Sequence, residues 1–294
     1  MSIIPHSAQI RVKSAISSSL NNIFSSHWGY MSIKITISFW LLCSLPGLLW
    51  AVEDVADIKH RQGLLWKDEG GQIKPSFVFG TMHSDDDRII ALLDKIRPEL
   101  ASVQLVCTEV KFNHQSMDRA NQVMYFEDGQ TLKTIIGNKL FKKSSQALSL
   151  HGFNMDKVDQ LKPWAVTVLL SQPDTGMTIL DVAIYNEALN QEKNVCGLEN
   201  VIEQIQTFAG MDVEDQVEIL KETLAMAPQI PAMYQELIEV YLQRNLAKIV
   251  SLSQKYGLKN KELMDKFMTR LVVDRNERMA RRMMLRMKEQ NVFV

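Results

Sequence analysis

Three cysteines in 294 residues are too few for a disulfide-built scaffold, and 8 prolines with 13 glycines are too few for a collagenous or low-complexity chain. Aromatic residues supply only 7%, yet hydrophobic residues together reach 46%, enough to exclude a disordered chain. Neither charge sign dominates: 33 Lys and Arg stand against 34 Asp and Glu, for a formal net charge of -1. The global basic field expected of a nucleic-acid binder is therefore missing. Only one long apolar run occurs, which excludes a multi-span membrane protein. What remains is a globular chain, long enough for one large domain or two small ones at roughly 150 residues each.

The apolar run covers residues 35–50 (ITISFWLLCSLPGLLW), with Lys34 before it and Ala51, Glu53 and Asp54 after it. A basic flank, a short apolar core, a Pro-Gly break and a small residue at the exit are the parts of a signal peptide, expected here over residues 31–51. Met31 stands where such a peptide would begin, so residues 1–30 read as an over-extended start. The plainer alternative is an uncleaved inner-membrane anchor over residues 35–50, although that run is short for a bilayer core of about 30 Å. Cys43 has no small residue before it, which argues against a lipoprotein anchor. Cleavage near Ala51 would remove Arg11, Lys13 and Lys34 and no acid, leaving 30 basic against 34 acidic side chains. The expected location is the cell envelope, in the periplasm by this pattern, with membrane contact only through the N-terminal segment. Cys107 and Cys196 then remain, either as one disulfide or as two buried thiols.

Residues 60–294 read as a single domain, because no linker divides them. Residues 63–67 and 76–79 flank the turn-forming Asp68-Glu69-Gly70-Gly71 and predict a β-hairpin. After Gly80-Thr81-Met82-His83-Ser84, the apolar residues Ile89, Ile90, Leu92, Leu93 and Ile96 follow at helical spacing, with Ser84 or Asp85 as the cap. Residues 103–107 predict a second strand, closed by Thr108-Glu109-Val110, and residues 194–196 a third, ended by Gly197. The order strand, helix, strand implies a partly parallel sheet. Residues 130–191 and 213–290 are otherwise helical in pattern, and Asn291-Val292-Phe293-Val294 begins a last strand. The fold class expected is α/β (α+β), a small mixed sheet with a large helical portion.

His83 is the sharpest local signal, placed after a strand and before a helix, where α/β sheets gather ligands. Glu109 and Glu199 close the next two strands, so His83, Glu109 and Glu199 fall at one topological position. Three such ends could make a hard metal site or an acid/base pair. Taken singly, each is as well explained by a solvated or core histidine at a loop, or by a helix-start or surface acid. Asp85-Asp86-Asp87 reads as a helix start rather than a calcium site. Arg275, Arg278, Arg281, Arg282, Arg286 and Lys288 accompany Met279, Met283 and Met287, which predicts an amphipathic helix with a methionine stripe toward the core and a solvated basic face.

Several segments in order resemble the TraB/GumN family, related to the Tiki proteases. Phe79-Gly80-Thr81-Met82-His83 resembles its first GxxH motif, and Cys107-Thr108-Glu109-Val110 its strand-ending glutamate segment. Residues 128–132 (DGQTL), 161–164 (LKPW), 197–204 (GLE with EQ) and Asp274-Arg275-Asn276 with Met279 resemble further family segments. The resemblance spans roughly residues 60–294. It implies a ChaN-like or erythromycin-esterase-like core and a divalent-metal-dependent hydrolase, peptidase-like, supported by manganese or cobalt. His83, Glu109 and Glu199 would be the metal ligands, with Glu109, Glu199 and Arg275 as the catalytic groups and Arg275 holding a carboxylate or a developing charge. The partner implied is a peptide or polysaccharide-related substrate, not nucleic acid. The alternative is a non-catalytic envelope binding protein associated with polysaccharide production.

The family carries a second GxxH motif on the strand after the last long helix, whereas this sequence stops at Val294 and has no histidine after His151. The expectation is a domain C-terminally incomplete relative to the resemblance, short of one imidazole and impaired in metal binding and catalysis.

Overall fold

The computed structural model describes residues 61–68, 70, 73–111, 114–171 and 179–294. The expected signal segment, residues 31–51, and the residues before it lie outside the described residues. No helix among the described residues is long and apolar enough to cross a membrane.

Among the described residues the sheet has five strands: β1 (Leu65–Asp68), β2 (Ser76–Phe79), β3 (Leu105–Val110), β4 (Asn194–Glu199) and β5 (Val292–Phe293). Their order across the sheet is β1-β2-β5-β3-β4. The β1–β2 hairpin is antiparallel, with Leu65 opposite Phe79 and Asp68 opposite Ser76, and every other pairing is parallel. The mixed, partly parallel sheet read from the strand–helix–strand order is thus present. Its last strand, only two residues long, is inserted between β2 and β3, where Val294 N donates to Phe77 O and Phe79 N donates to Val294 O.

Helices cover both faces because successive strand residues point to opposite sides. On one face Phe79, Val106 and Phe293 pack with α1 (Asp87–Ile90), α2 (Leu92–Ser102), α7 (Leu180–Asn190), α10 (Ile230–Leu242) and α11 (Leu246–Lys255). On the other, Leu105, Cys107 and Val292 pack under Met279, Met283 and Met287 of α13 (Asp274–Glu289). The methionine stripe therefore faces the sheet, as its spacing predicts. Val110 at the end of β3 enters a third, largely helical cluster. It is built by α3 (His114–Val123), α4 (Leu132–Ser149), α5 (Met155–Asp159), α6 (Pro163–Leu170), α8 (Val201–Ala209), α9 (Val213–Met226) and α12 (Lys261–Met268).

Several boundaries differ from the sequence reading, each for a local reason. The helix after His83 is two, α1 and α2, and its cap is Asp86, whose side chain accepts from Arg88 N, while Ser84 Oγ accepts from Asp86 N. Strand β3 does not stop at Cys107, because Thr108 and Val110 still pair with Gly197 and Glu199. Gly197 does not end β4 either. A Cβ there would lie 2.5 Å from Lys111 N and 2.9 Å from Glu199 O, so glycine allows the two strand ends to approach. Glu199 is the last residue of β4, and Asn200 caps α8 in a reciprocal pair with Glu203.

Cys107 and Cys196 are opposite one another on β3 and β4, with Cα atoms 4.5 Å apart, and form a disulfide. This settles the choice between bridge and thiols that the cysteine count left open.

Candidate functional site

The loop after β2 is held from the helical side. Tyr241 donates to Gly80 O and Tyr234 to His83 O, both at 2.8 Å, from α10 positions seven residues apart and so on one helix face. These bonds fix the backbone that carries His83, whose side chain is fully buried. Asp181, in the first turn of α7, completes the pocket around the imidazole. Its Oδ1 accepts from Thr81 Oγ1 at 2.7 Å, and its Oδ2 lies 3.2 Å from His83 Nδ1. A carboxylate so placed orients the ring electrostatically.

The strand ends supply the acids, and α13 supplies the bases. Glu199 is enclosed: Arg275 Nε and Nη2 donate to its Oε2 at 2.8 and 2.7 Å, and Arg278 Nη2 donates to its Oε1 at 2.6 Å. Arg275 Nη2 also reaches Glu109 Oε2 at 3.0 Å, so one guanidinium bridges both glutamates. The π-helical turn Thr269–Val273 joins α12 to α13 and shifts the helical phase just before Arg275. Arg275 is consequently 1% exposed, so the basic face read as solvated is buried at this residue. Glu203, next along, is gripped by both Nη atoms of Arg282, which hold its carboxyl down at about 2. Buried Gln204 donates weakly to Glu109 Oε2 at 3.5 Å, while its own amide oxygen accepts no hydrogen bond among the described residues.

Burial sets the protonation states. It lowers the His83 pKa to about 4, against the opposing pull of the Glu109 charge, so the imidazole is neutral at pH 7. It raises the Asp181 carboxyl to about 6 despite the Thr81 hydrogen bond. Glu109 is also pushed upward by burial, with the Arg275 and His83 charges acting the other way. Its side chain nonetheless keeps 22% exposure, whereas Glu199 has none. Glu109 is therefore the acid through which solvent meets the cluster.

Beside Glu199 and Arg278 opens a cavity of about 650 Å³, walled by the first turn of α8, Glu203, Gln206, Arg119 and Arg278.

The three candidate ligands His83, Glu109 and Glu199 stand at the ends of β2, β3 and β4, at the same edge of the sheet. As arranged they do not suit a divalent ion. Both oxygens of Glu199 are taken by guanidiniums, and a positive group already occupies the space between the two glutamates. Among the described residues no group of three or more His, Cys, Asp or Glu could hold a metal ion.

Asp181, Thr81, Gln204 and Arg278 join the site without having been singled out for it in the sequence reading. The one local sign of Asp181 is an acid within the apolar stretch Ile179-Leu180-Asp181-Val182-Ala183-Ile184. Its proximity to His83 is purely tertiary.

A family model described as the TraB/PrgY/gumN family matches residues 64–294. No curated protein and no solved structure matches the chain.

Proposed function

The chain belongs to the TraB/PrgY/gumN family, and from that premise we propose that it is a cell-envelope hydrolase of peptide-like bonds, with Glu109 as the acid–base group. One observation carries the reading: a partly open carboxyl of raised pKa meets a neutral imidazole and a buried guanidinium at the carboxyl end of parallel strands. In this mechanism Glu109 takes a proton from water as its oxygen adds to the carbonyl carbon. The C–N bond then breaks, and the same proton passes to the departing amine. Arg275 holds Glu109 in place through Oε2 and offsets negative charge developing nearby. His83 is oriented by Asp181 and presents a neutral ring toward the same acid. The disulfide between β3 and β4 supports an oxidising compartment, in line with an envelope location.

A divalent metal, manganese or cobalt by the family resemblance, would require Glu199 to leave two arginines, so no step is assigned to one. The enclosed Glu199–Arg275–Arg278 network favours a second reading, a non-catalytic binding protein in which these charges only brace the strand ends. A fluorogenic peptide library separates the readings. Turnover by the purified protein should fall about 100-fold or more in Glu109→Gln with its thermal unfolding unchanged. Turnover that appears only with added Mn²⁺ or Co²⁺, and disappears in His83→Ala, would replace this mechanism by the metal-dependent one. No turnover with or without metal would favour the binding protein.

A further inference from the structure

The cavity beside Glu199 is lined by cationic groups that the ion-pair network does not use up. Arg119 makes no ion pair or hydrogen bond among the described residues, yet it forms part of the wall. Arg278 spends Nε and Nη2 on Glu199 Oε1 and also lines the cavity. The only acid in that wall among the described residues, Glu203, is already neutralised by the fork of Arg282, and Asn200 N donates to it as well. Across the whole cluster four guanidiniums, from Arg119, Arg275, Arg278 and Arg282, face three carboxylates, from Glu109, Glu199 and Glu203. The wall therefore carries surplus positive charge, to which the first turn of α8 adds its aligned N–H groups.

We infer that this cavity seats a carboxylate of the ligand, the free C-terminal end of a short peptide, between Arg119 and Arg278. At about 650 Å³ the space falls within the range of sites for small organic ligands, so it has room for a few residues behind the carboxylate. Glu109 lies close to this wall, because Gln204, the neighbour of Glu203 along α8, donates to its Oε2 and Arg275 joins it to Glu199. The substrate class is then a peptide held by its carboxyl terminus and cleaved close to that end. This assignment rests on the hydrolase reading for the cleavage but not for the binding.

Calorimetric titration of the full chain with N-acetyl-trialanine, its C-terminal amide, acetate and inorganic phosphate tests it. The peptide acid should bind at least 10-fold more tightly than the amide, weaken with added salt, and be displaced by acetate. Arg119→Gln should lose about 10-fold in affinity with unchanged thermal unfolding, and Arg119→Lys should recover part of it. Glu109→Gln removes one of the three carboxylates and should bind the peptide acid at least as tightly as the parent, so a failed hydrolase reading is distinguishable from a failed carboxylate seat. Equal affinity for acid and amide, unaltered binding in Arg119→Gln, phosphate binding without peptide-acid binding, or no binding of any probe below about 10 mM would each overturn the proposal.

Discussion

Burial drives His83 and Asp181 in opposite directions on the pH scale, and the two effects overlap. The imidazole falls from 6.5 to about 4, so its contribution to stability is full above pH 6.5 and is lost as pH falls through about 4. The Asp181 carboxyl rises from 3.8 to about 6, so its contribution is full below about 3.8 and is lost as pH rises through about 6. Over the interval between pH 4 and 6.5 the two slopes largely cancel in the parent protein. Asp181→Asn leaves the histidine slope alone, so its stability should drop by roughly 3 kcal/mol more than the parent's between pH 7 and pH 4. Urea unfolding at those two pH values measures this, and parallel profiles for parent and variant would contradict it. Arg275 belongs at the same scale. Replacing it with Met strands two carboxylates, one fully buried, and should cost roughly 3–5 kcal/mol. The double variant with Glu199→Gln should regain part of that loss, whereas additive losses in a double-mutant cycle would show that the bridge does not couple them.

At the scale of elements, the site depends on how closely β3 and β4 approach at their carboxyl ends. Gly197 makes that approach possible, and the Cys107–Cys196 bridge lies one residue before it on β4. A methyl group at residue 197 would meet backbone atoms of Val110 and Lys111, which cannot rotate away. Gly197→Ala should therefore destabilise by about 1–3 kcal/mol and separate Glu109 from Glu199. Thermal unfolding together with the turnover assay would detect both effects, and a variant equal to the parent in each would refute the role assigned to this glycine. The elements themselves were largely legible in the sequence: the hairpin from its turn residues, the long helices from their period, and α13 from its methionine stripe. The strand ends were not, because Glu109 and Gly197 lack strand character of their own, and the two segments are extended by the pairing of Thr108 with Gly197 and of Val110 with Glu199. The π turn before Arg275 was equally hidden, since residues 261–290 keep a helical hydrophobic pattern through it.

For the molecule as a whole, β5 joins the two halves of the sheet. Val292 fills one face and Phe293 the other, where its ring lies 6.4 Å from Phe77 and 6.2 Å from Phe79 between centroids. Phe293→Ala should cost about 3–5 kcal/mol, as for other fully buried aromatic residues. Because β5 connects β2 with β3, that loss should appear as one cooperative shift of the urea transition. An unchanged midpoint, or a second transition for the hairpin alone, would count against this role.

The family resemblance singled out Arg275 in the last helix, whereas composition, periodicity and turn residues were enough to establish a globular α/β chain and to place His83, Glu109 and Glu199 at the ends of strands. Those properties are local, written into the alternation of apolar and polar residues along the chain. Which charges neutralise which was decided only by the tertiary structure. Arg275 lies 76 residues from Glu199 and 166 from Glu109, and Asp181 is separated from Thr81 by 100 residues. No local pattern encodes such pairings, because they follow from packing β5, α7 and α13 around the sheet. That packing turns three separate acids and a histidine into one buried, charge-compensated cluster beside a cationic cavity.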